Sequence, residues 1–188
     1  MLRPFRSVLP KVHPTAFVDQ SAQIIGDVEI GEESSVWMNV VIRGDVNAIR
    51  IGDRTNIQDG TVIHVMRGTH ATTIGDEVTV GHAAILHGCT IHDRVLIGMG
   101  ALLLNGSEIG EDSIVAAGTL VPEEKRFPAR SLLMGRPAAL KRELTEHEIA
   151  TIRDYAERYM GYRKDYLPAV ARASARSRRR AATPRKGG

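Results

Sequence analysis

The sequence predicts a mainly β fold: a triangular parallel β-helix followed by a single α-helix. Three observations carry that expectation. Aliphatic residues recur at every sixth position, small residues fall four places after many of them, and aromatic residues make up only 4% of a 188-residue chain that holds 18 glycines. A helix repeats every 3.6 residues and a half-buried strand every 2, so a period of six belongs to short strands joined by tight turns, each sending one aliphatic side chain inward. Three hexads then make one coil, and coils stack at the ~4.8 Å spacing of paired strands.

The elements follow in order. Residues 1–12 are an N-terminal extension, and the repeat occupies 13–122. Its first run holds Val18, Ile24, Ile30, Val36 and Ile42, and the phase resumes at Ile51, Ile57 and Ile63. It restarts at Ile74, Val80 and Leu86, and a last run holds Ile91, Ile97, Leu103, Ile109, Val115 and Val121. Gly31, Gly52, Gly75, Gly81, Gly98 and Gly110 each follow an aliphatic position, where a tight turn needs a residue without Cβ. A turn-rich β-sandwich would not hold so many aliphatic residues in one phase. The repeat is expected to stop after Val121, with Pro122, Pro128 and Pro137 marking an extended crossing segment within 123–167. Thr145-Glu146-His147-Glu148 is a capping box and Leu144 with Ile149 a hydrophobic staple, so a helix is expected from there to about Tyr166, ending before Pro168.

Charge excludes one broad class of partner. Residues 171–188 contain seven basic and no acidic side chains, so the formal net charge of +3 leaves −4 for the body of the chain. A body that binds nucleic acid should itself be basic, because phosphate contacts dominate that affinity. The segment 168–188, rich in Arg, Ala and Ser, reads as a basic disordered tail. A single cysteine, Cys89, excludes an intrachain disulfide framework and reads as a small buried filler. No apolar run is long enough to span a bilayer, and the N-terminus lacks the long apolar run of a secretory signal, so a cytoplasmic location is expected.

The chemistry is expected at three histidines of the repeat, His64, His82 and His87. His64 follows Ile63 by one residue and His87 follows Leu86 by one, and three hexad steps separate those two aliphatic positions once the loop Met66–Thr72 is absorbed. The two imidazoles should therefore stack on one edge of the prism. His82 lies two residues after Val80, on the preceding face, and would meet the other two only from a neighbouring subunit of a cyclic trimer. Three neutral imidazoles with an open position form a catalytic zinc-type site.

Arg43-Gly44-Asp45, Gln58-Asp59-Gly60, His64, and the pairs Gly81-His82 and His87-Gly88 resemble the γ-class carbonic anhydrases, most closely the short branch that lacks a long acidic loop. The resemblance runs from His13 to about Leu167. Hexads alone are shared with many acyltransferases; the specific part is His-X4-His with an upstream Gln-X5-His. The resemblance implies a left-handed parallel β-helix with a C-terminal helix, assembled as a homotrimer. It implies that His64 and His87 of one subunit and His82 of the next hold a metal ion, Zn²⁺ with Fe²⁺ or Co²⁺ as alternatives, that activates water to hydrate CO₂ to bicarbonate. It also implies that Gln58 orients the nucleophile, that Arg43 and Asp45 pair at the subunit interface beside the site with Arg43 steadying bicarbonate, and that Tyr159 is an active-site tyrosine, with Tyr155 and Tyr162 as rivals. Trp37 is expected to pack at an interface.

Two departures stand out. Val46 occupies the place of a glutamate in the active branch, and the loop Met66–Thr72 carries no carboxylate to shuttle protons. His70, in that loop, is a candidate relay or simply a surface histidine. Three other readings remain open: a CoA-dependent acyltransferase using one histidine as base, a metal-dependent thioesterase, and a catalytically weak metal-binding trimer.

Overall fold

The computed structural model describes the backbone of residues 1–181 and the side chains of residues 1–167. Its body is a parallel β-helix of about seven coils with one C-terminal helix. Two- and three-residue strands stack coil upon coil in strict register, as in Asn56↔Thr79↔Leu96↔Ile114 on one face and Val62↔Ile85↔Leu102↔Leu120 on another. The third face stacks Thr73, Thr90, Glu108 and Arg126. Two longer strands, Gln23–Ile30 and Val41–Ile51, run round a corner of the prism and join the second and third faces into one continuous sheet.

The hexad aliphatics line the interior. Sixteen of the seventeen, from Ile24 to Val121, are at most 4% exposed, and Val18 packs partly buried against them. Small residues at the other inward corner, Ser34, Ala84, Ala101, Ser113 and Thr119, are buried as well. At ~25 cal/mol per Å² of apolar area removed from water, this ladder of β-branched and leucine side chains is the main source of stability.

Along one corner the coils are also tied by a ladder of aspartates. Asp53, Asp76 and Asp93 each accept, through Oδ1, the backbone N–H of the residue one coil below, at 2.6–2.9 Å. Each aspartate folds over the glycine beneath it: a Cβ on Gly75 would lie 2.2 Å from Asp93 Oδ1 and 2.8 Å from its backbone nitrogen.

The repeat extends further than expected. Past Val121 the six-residue step continues through Phe127 and Leu133, and Arg126–Phe127 and Ser131–Met134 pair in parallel with the coil below. Pro122 and Pro128 sit in turns and do not interrupt the solenoid; Ala139–Glu143 then closes the end as an antiparallel strand. At the other end, Leu2–Arg3 and Lys11–Val12 pair with Gln23–Ile30.

The helix α1 spans Glu146–Ala181. The capping box forms: Thr145 N–H donates to Glu148 at 2.9 Å, and Glu148 N–H donates to the Thr145 hydroxyl at 3.3 Å. Leu144, Ile149 and Ile152 bury themselves on Leu96, Ile114 and Leu132 of the later coils. Farther along, Arg163, 3% exposed, bonds Glu33 at 2.7 Å and the Thr15 carbonyl of the first coils. The helix thus runs back along the whole of one face. Its end before Pro168 is corrected: the backbone stays helical to Ala181, because the Ala- and Arg-rich stretch after the proline favours helix and outweighs the one lost hydrogen bond. Of the expected tail, 182–188 lie outside the described residues.

Two outcomes are expected. Gly75→Ala should lower unfolding free energy by about 1–3 kcal/mol in denaturant titration, because neither contact can yield without breaking the aspartate ladder. Glu148 is held down to about 2 by hydrogen bonds from Arg142 first and from Thr145 second. A carboxyl depressed on folding contributes stability above its unfolded value of ~4.3 and loses it as pH falls through the folded one. The difference in melting temperature between wild type and Glu148→Gln should therefore be full at pH 6 and vanish near pH 2.

Candidate metal centre

Because coils stack in register, outward residues on one strand form rows. On the face bearing the strands Val62–His64 and Ile85–His87, the first outward row is aliphatic: Val41, Val62, Ile85, Leu102 and Leu120. Val62 and Ile85 stay 38% and 44% exposed. The next row holds His64 directly beneath His87.

The two imidazoles meet: His64 Nδ1 lies 3.1 Å from His87 Nε2. Each ring is held from behind. His64 Nε2 is 3.0 Å from Asp45 Oδ1, and His87 Nδ1 is 2.8 Å from Asn105 Oδ1, whose amide donates to Glu123 at 3.0 Å. Burial would raise the Asp45 carboxyl, but hydrogen bonds from His64 and then Arg43 outweigh it and hold it below the usual carboxylate range. Asp45 is therefore an acceptor, and His64 presents to it a protonated Nε2.

This pair fits a metal ion. Two imidazole nitrogens at ~2.0–2.1 Å from a tetrahedral ion lie ~3.3–3.4 Å apart, close to the separation observed, and an outer N–H held by a carboxylate or carbonyl is the usual support for a metal-ligating histidine. Within one chain the pair has no third ligand: among the described residues no three His, Cys, Asp or Glu side chains gather as a metal set.

His82 sits elsewhere, on the helix-covered face. Its Nδ1 is 3.1 Å from Asp59, and it lines a cavity of about 290 Å³ with Gln58, Met99, Ala117, Tyr155 and Tyr159. Gln58 is buried and donates to Asn56 at 3.1 Å, which in turn donates to Thr79 at 2.8 Å, so two residues unremarked in the sequence fix the amide. Tyr159 packs edge-on against Trp37, and burial first, then the Asp59 carboxylate, pushes its hydroxyl above the ordinary tyrosine value. Tyr155 shares this cavity; Tyr162 lines a separate one with Trp37, Met38 and Asp59. The single chain thus brings His64, His87, Asp45 and Arg43 to one face, and His82, Gln58 and Tyr159 to another.

Arg43 bonds Asp45 at 2.5 Å within the same chain. Trp37 packs inside the subunit, among Phe17, Tyr159 and Tyr166 beneath the helix. His70 bonds Glu124 at 3.1 Å, on the loop that passes over Gly88. Cys89 is buried, and burial pushes its thiol up to about 12. Asn105, which sequence reading overlooked, stands three hexads after His87; the same arithmetic that pairs the histidines would have found it.

A parallel β-helix of hexads with paired histidines on an outer row is a hexapeptide-repeat protein with a candidate metal centre. Residues 88–123 match the family described as bacterial transferase hexapeptide (six repeats). Over 87% of its length the chain is 43% identical to a carbonic anhydrase of Geobacillus kaustophilus, covering 91% of that protein. It is 48% identical to the mitochondrial gamma carbonic anhydrase 1 of Arabidopsis thaliana over 80% of its length, and spans 56% of that longer relative. A solved hexapeptide transferase family protein from Anaplasma phagocytophilum superposes with a TM-score of 0.85 at 42% identity, covering 88% of this chain and 98% of that one. The chain belongs to the γ-class carbonic anhydrase-like family of hexapeptide-repeat proteins. Among the described residues no helix is long and apolar enough to cross a membrane.

Thr72 braces the pair from inside, its hydroxyl donating to the His64 carbonyl at 2.6 Å and accepting from Gly88 N–H at 3.0 Å. Thr72→Val keeps the shape and removes both bonds. It should cost about 1–3 kcal/mol in denaturant titration.

Proposed function

We infer that the protein is a metal-dependent carbonic anhydrase, hydrating CO₂ to bicarbonate at a site shared between neighbouring subunits of a homotrimer. The observation that carries this reading is the split arrangement. Two imidazoles stand 3.1 Å apart with their outer nitrogens held, while the third histidine, the buried glutamine and the tyrosine line a cavity on another face of the same prism. The exposed aliphatic row beside His64 and His87 supports burial of that face against a second copy, since Val62 and Ile85 are otherwise open to water. Docking that row against the His82 face of a neighbour would join the two half-sites.

His64, His87 and a neighbour's His82 would hold the ion, with Zn²⁺, Fe²⁺ and Co²⁺ all suited to imidazole ligands. Such an ion supplies a water nucleophile active at neutral pH. The chain's own groups do the rest. Gln58, fixed by Asn56, orients the attacking oxygen, and the Arg43 guanidinium at the rim attracts the bicarbonate anion. Tyr159 closes the side of the cavity against water. Asp45 carries a second duty, keeping Arg43 in place and His64 turned toward His87.

Hybrid trimers test the shared site. His64→Ala and His82→Ala should each bind little metal and lose CO₂ hydration by at least about 100-fold. Refolded together in equal amounts, they should recover about a quarter of wild-type activity and metal, because one interface in four then draws intact ligands from both chains. No recovery would show that the ligands do not come from two subunits. Wild-type turnover of acyl-CoA without metal would instead favour the acyltransferase reading.

A further inference from the structure

We propose that Asn105 and Glu123 form a relay that locks the His87 imidazole into the tautomer with its proton on Nδ1, which makes both of them positioning residues for the metal centre. The inference deepens the metal-binding reading above and rests on it.

Donors and acceptors fix the orientation of the ring. A carboxylate only accepts, so Glu123 Oε1, 3.0 Å from Asn105 Nδ2, orients the amide and leaves Asn105 Oδ1 facing the histidine. A carbonyl oxygen also only accepts, so the His87 nitrogen 2.8 Å away, Nδ1, must bear the hydrogen. Nε2 is then a bare lone pair, 3.1 Å from His64 Nδ1. Asp45 acts in the same way on the other ring, taking the hydrogen of His64 Nε2, so that in the neutral ring Nδ1 is bare. With both rings neutral, two lone pairs face each other and repel until a cation, whether a proton or a metal ion, lies between them.

Gly88 provides an independent observation. It sits in the left-handed region at φ +61°, and a Cβ there would lie 2.4 Å from Asn105 Oδ1 and 2.8 Å from the His70 Cβ. The turn after His87 therefore has to be a glycine to admit the amide oxygen to its place behind the ring. Asn105 itself is 8% exposed, whereas Glu123 lies at the surface, so the orientation of a nearly buried amide is set by a group that can be altered without disturbing the core. With an amide in place of the Glu123 carboxylate, the Asn105 side chain is free to turn, present its NH₂ to His87 Nδ1 and move the ring proton to Nε2, where it blocks the metal face.

The test uses three variants of the full-length protein, Glu123→Gln, Asn105→Asp and the double Asn105→Asp/Glu123→Gln. Metal-free protein is read by ¹⁵N NMR for the His87 tautomer, and Zn²⁺ affinity is read by chelator competition. Wild type should show the Nδ1-protonated ring. Glu123→Gln, almost isosteric, should mix the tautomers and weaken Zn²⁺ binding about tenfold. Asn105→Asp should place two carboxylates together and weaken binding as well. The double variant exchanges carboxylate and amide, keeps an acceptor on Nδ1, and should restore both readouts, a rescue that a packing role would not produce. Wild-type His87 protonated on Nε2, a Glu123→Gln variant unchanged in both readouts, or a double variant no better than its parents would each overturn the relay. A wild type with the Nδ1 tautomer that binds no Zn²⁺ would sink the metal reading while supporting the tautomer lock.

Discussion

Parallel pairing in register is the constraint on which the rest of this molecule depends. Each coil lies one strand spacing above the last, so every inward side chain stacks on the one three hexads away, and every outward one does the same. The interior is too slim for aromatic rings and is filled by Ile, Val and Leu, with Phe127 packed against one end. The outside becomes a set of rows, each with its own chemistry. A shift of one residue would turn the aliphatic ladder outward and the histidines inward, so the core enforces the register that the site needs. The aspartate ladder at the corner adds a second set of ties between coils that does not depend on the strands.

That constraint also explains what could be read from the sequence. Inward positions tolerate few residue types, so the hexads, their three slips and the stacking of His64 under His87 were visible in the order of residues alone. Phe127 and Leu133 keep the same step, yet the neighbouring prolines suggested an end; in a coil whose corners are turns, proline costs no ladder bond and does not stop the repeat. Outward polar positions follow no such rule. Asn105 and Asn56 were overlooked because nothing in the packing demands them, and their roles appear only when the side chains they face are known. Trp37, expected at an interface, packs beneath a helix whose path no local pattern specifies. Continuation of that helix past Pro168 reflects the propensity of the stretch after the proline outweighing one missing hydrogen bond.

The three faces of the prism differ in how finished they are. The helix covers one, with Leu144, Ile149 and Ile152 at its start and Arg163 farther along. Another carries Thr73, Thr90, Glu108 and Arg126 and suits water. The last presents an aliphatic row with two members more than a third exposed, beside two imidazoles held with their reactive nitrogens toward each other. Exposed apolar surface is unfavourable in isolation, and here it lies on the same face as the imidazole pair.

A convex prism sets a limit on ligand geometry. Side chains on one row converge, because stacked coils hold them one strand spacing apart; side chains on different faces diverge, because the outward normals of the faces point away from one another. One chain can therefore supply two neighbouring imidazoles from a row, as it does with His64 and His87, but a third from the next face, His82, points into different space. A centre with three imidazoles on such a scaffold has to form where the row of one prism meets the adjoining face of another. For a centre of that kind, assembly and metal binding would be a single equilibrium: the ion would be held fully only by the oligomer, and the oligomer would gain the free energy of the ion.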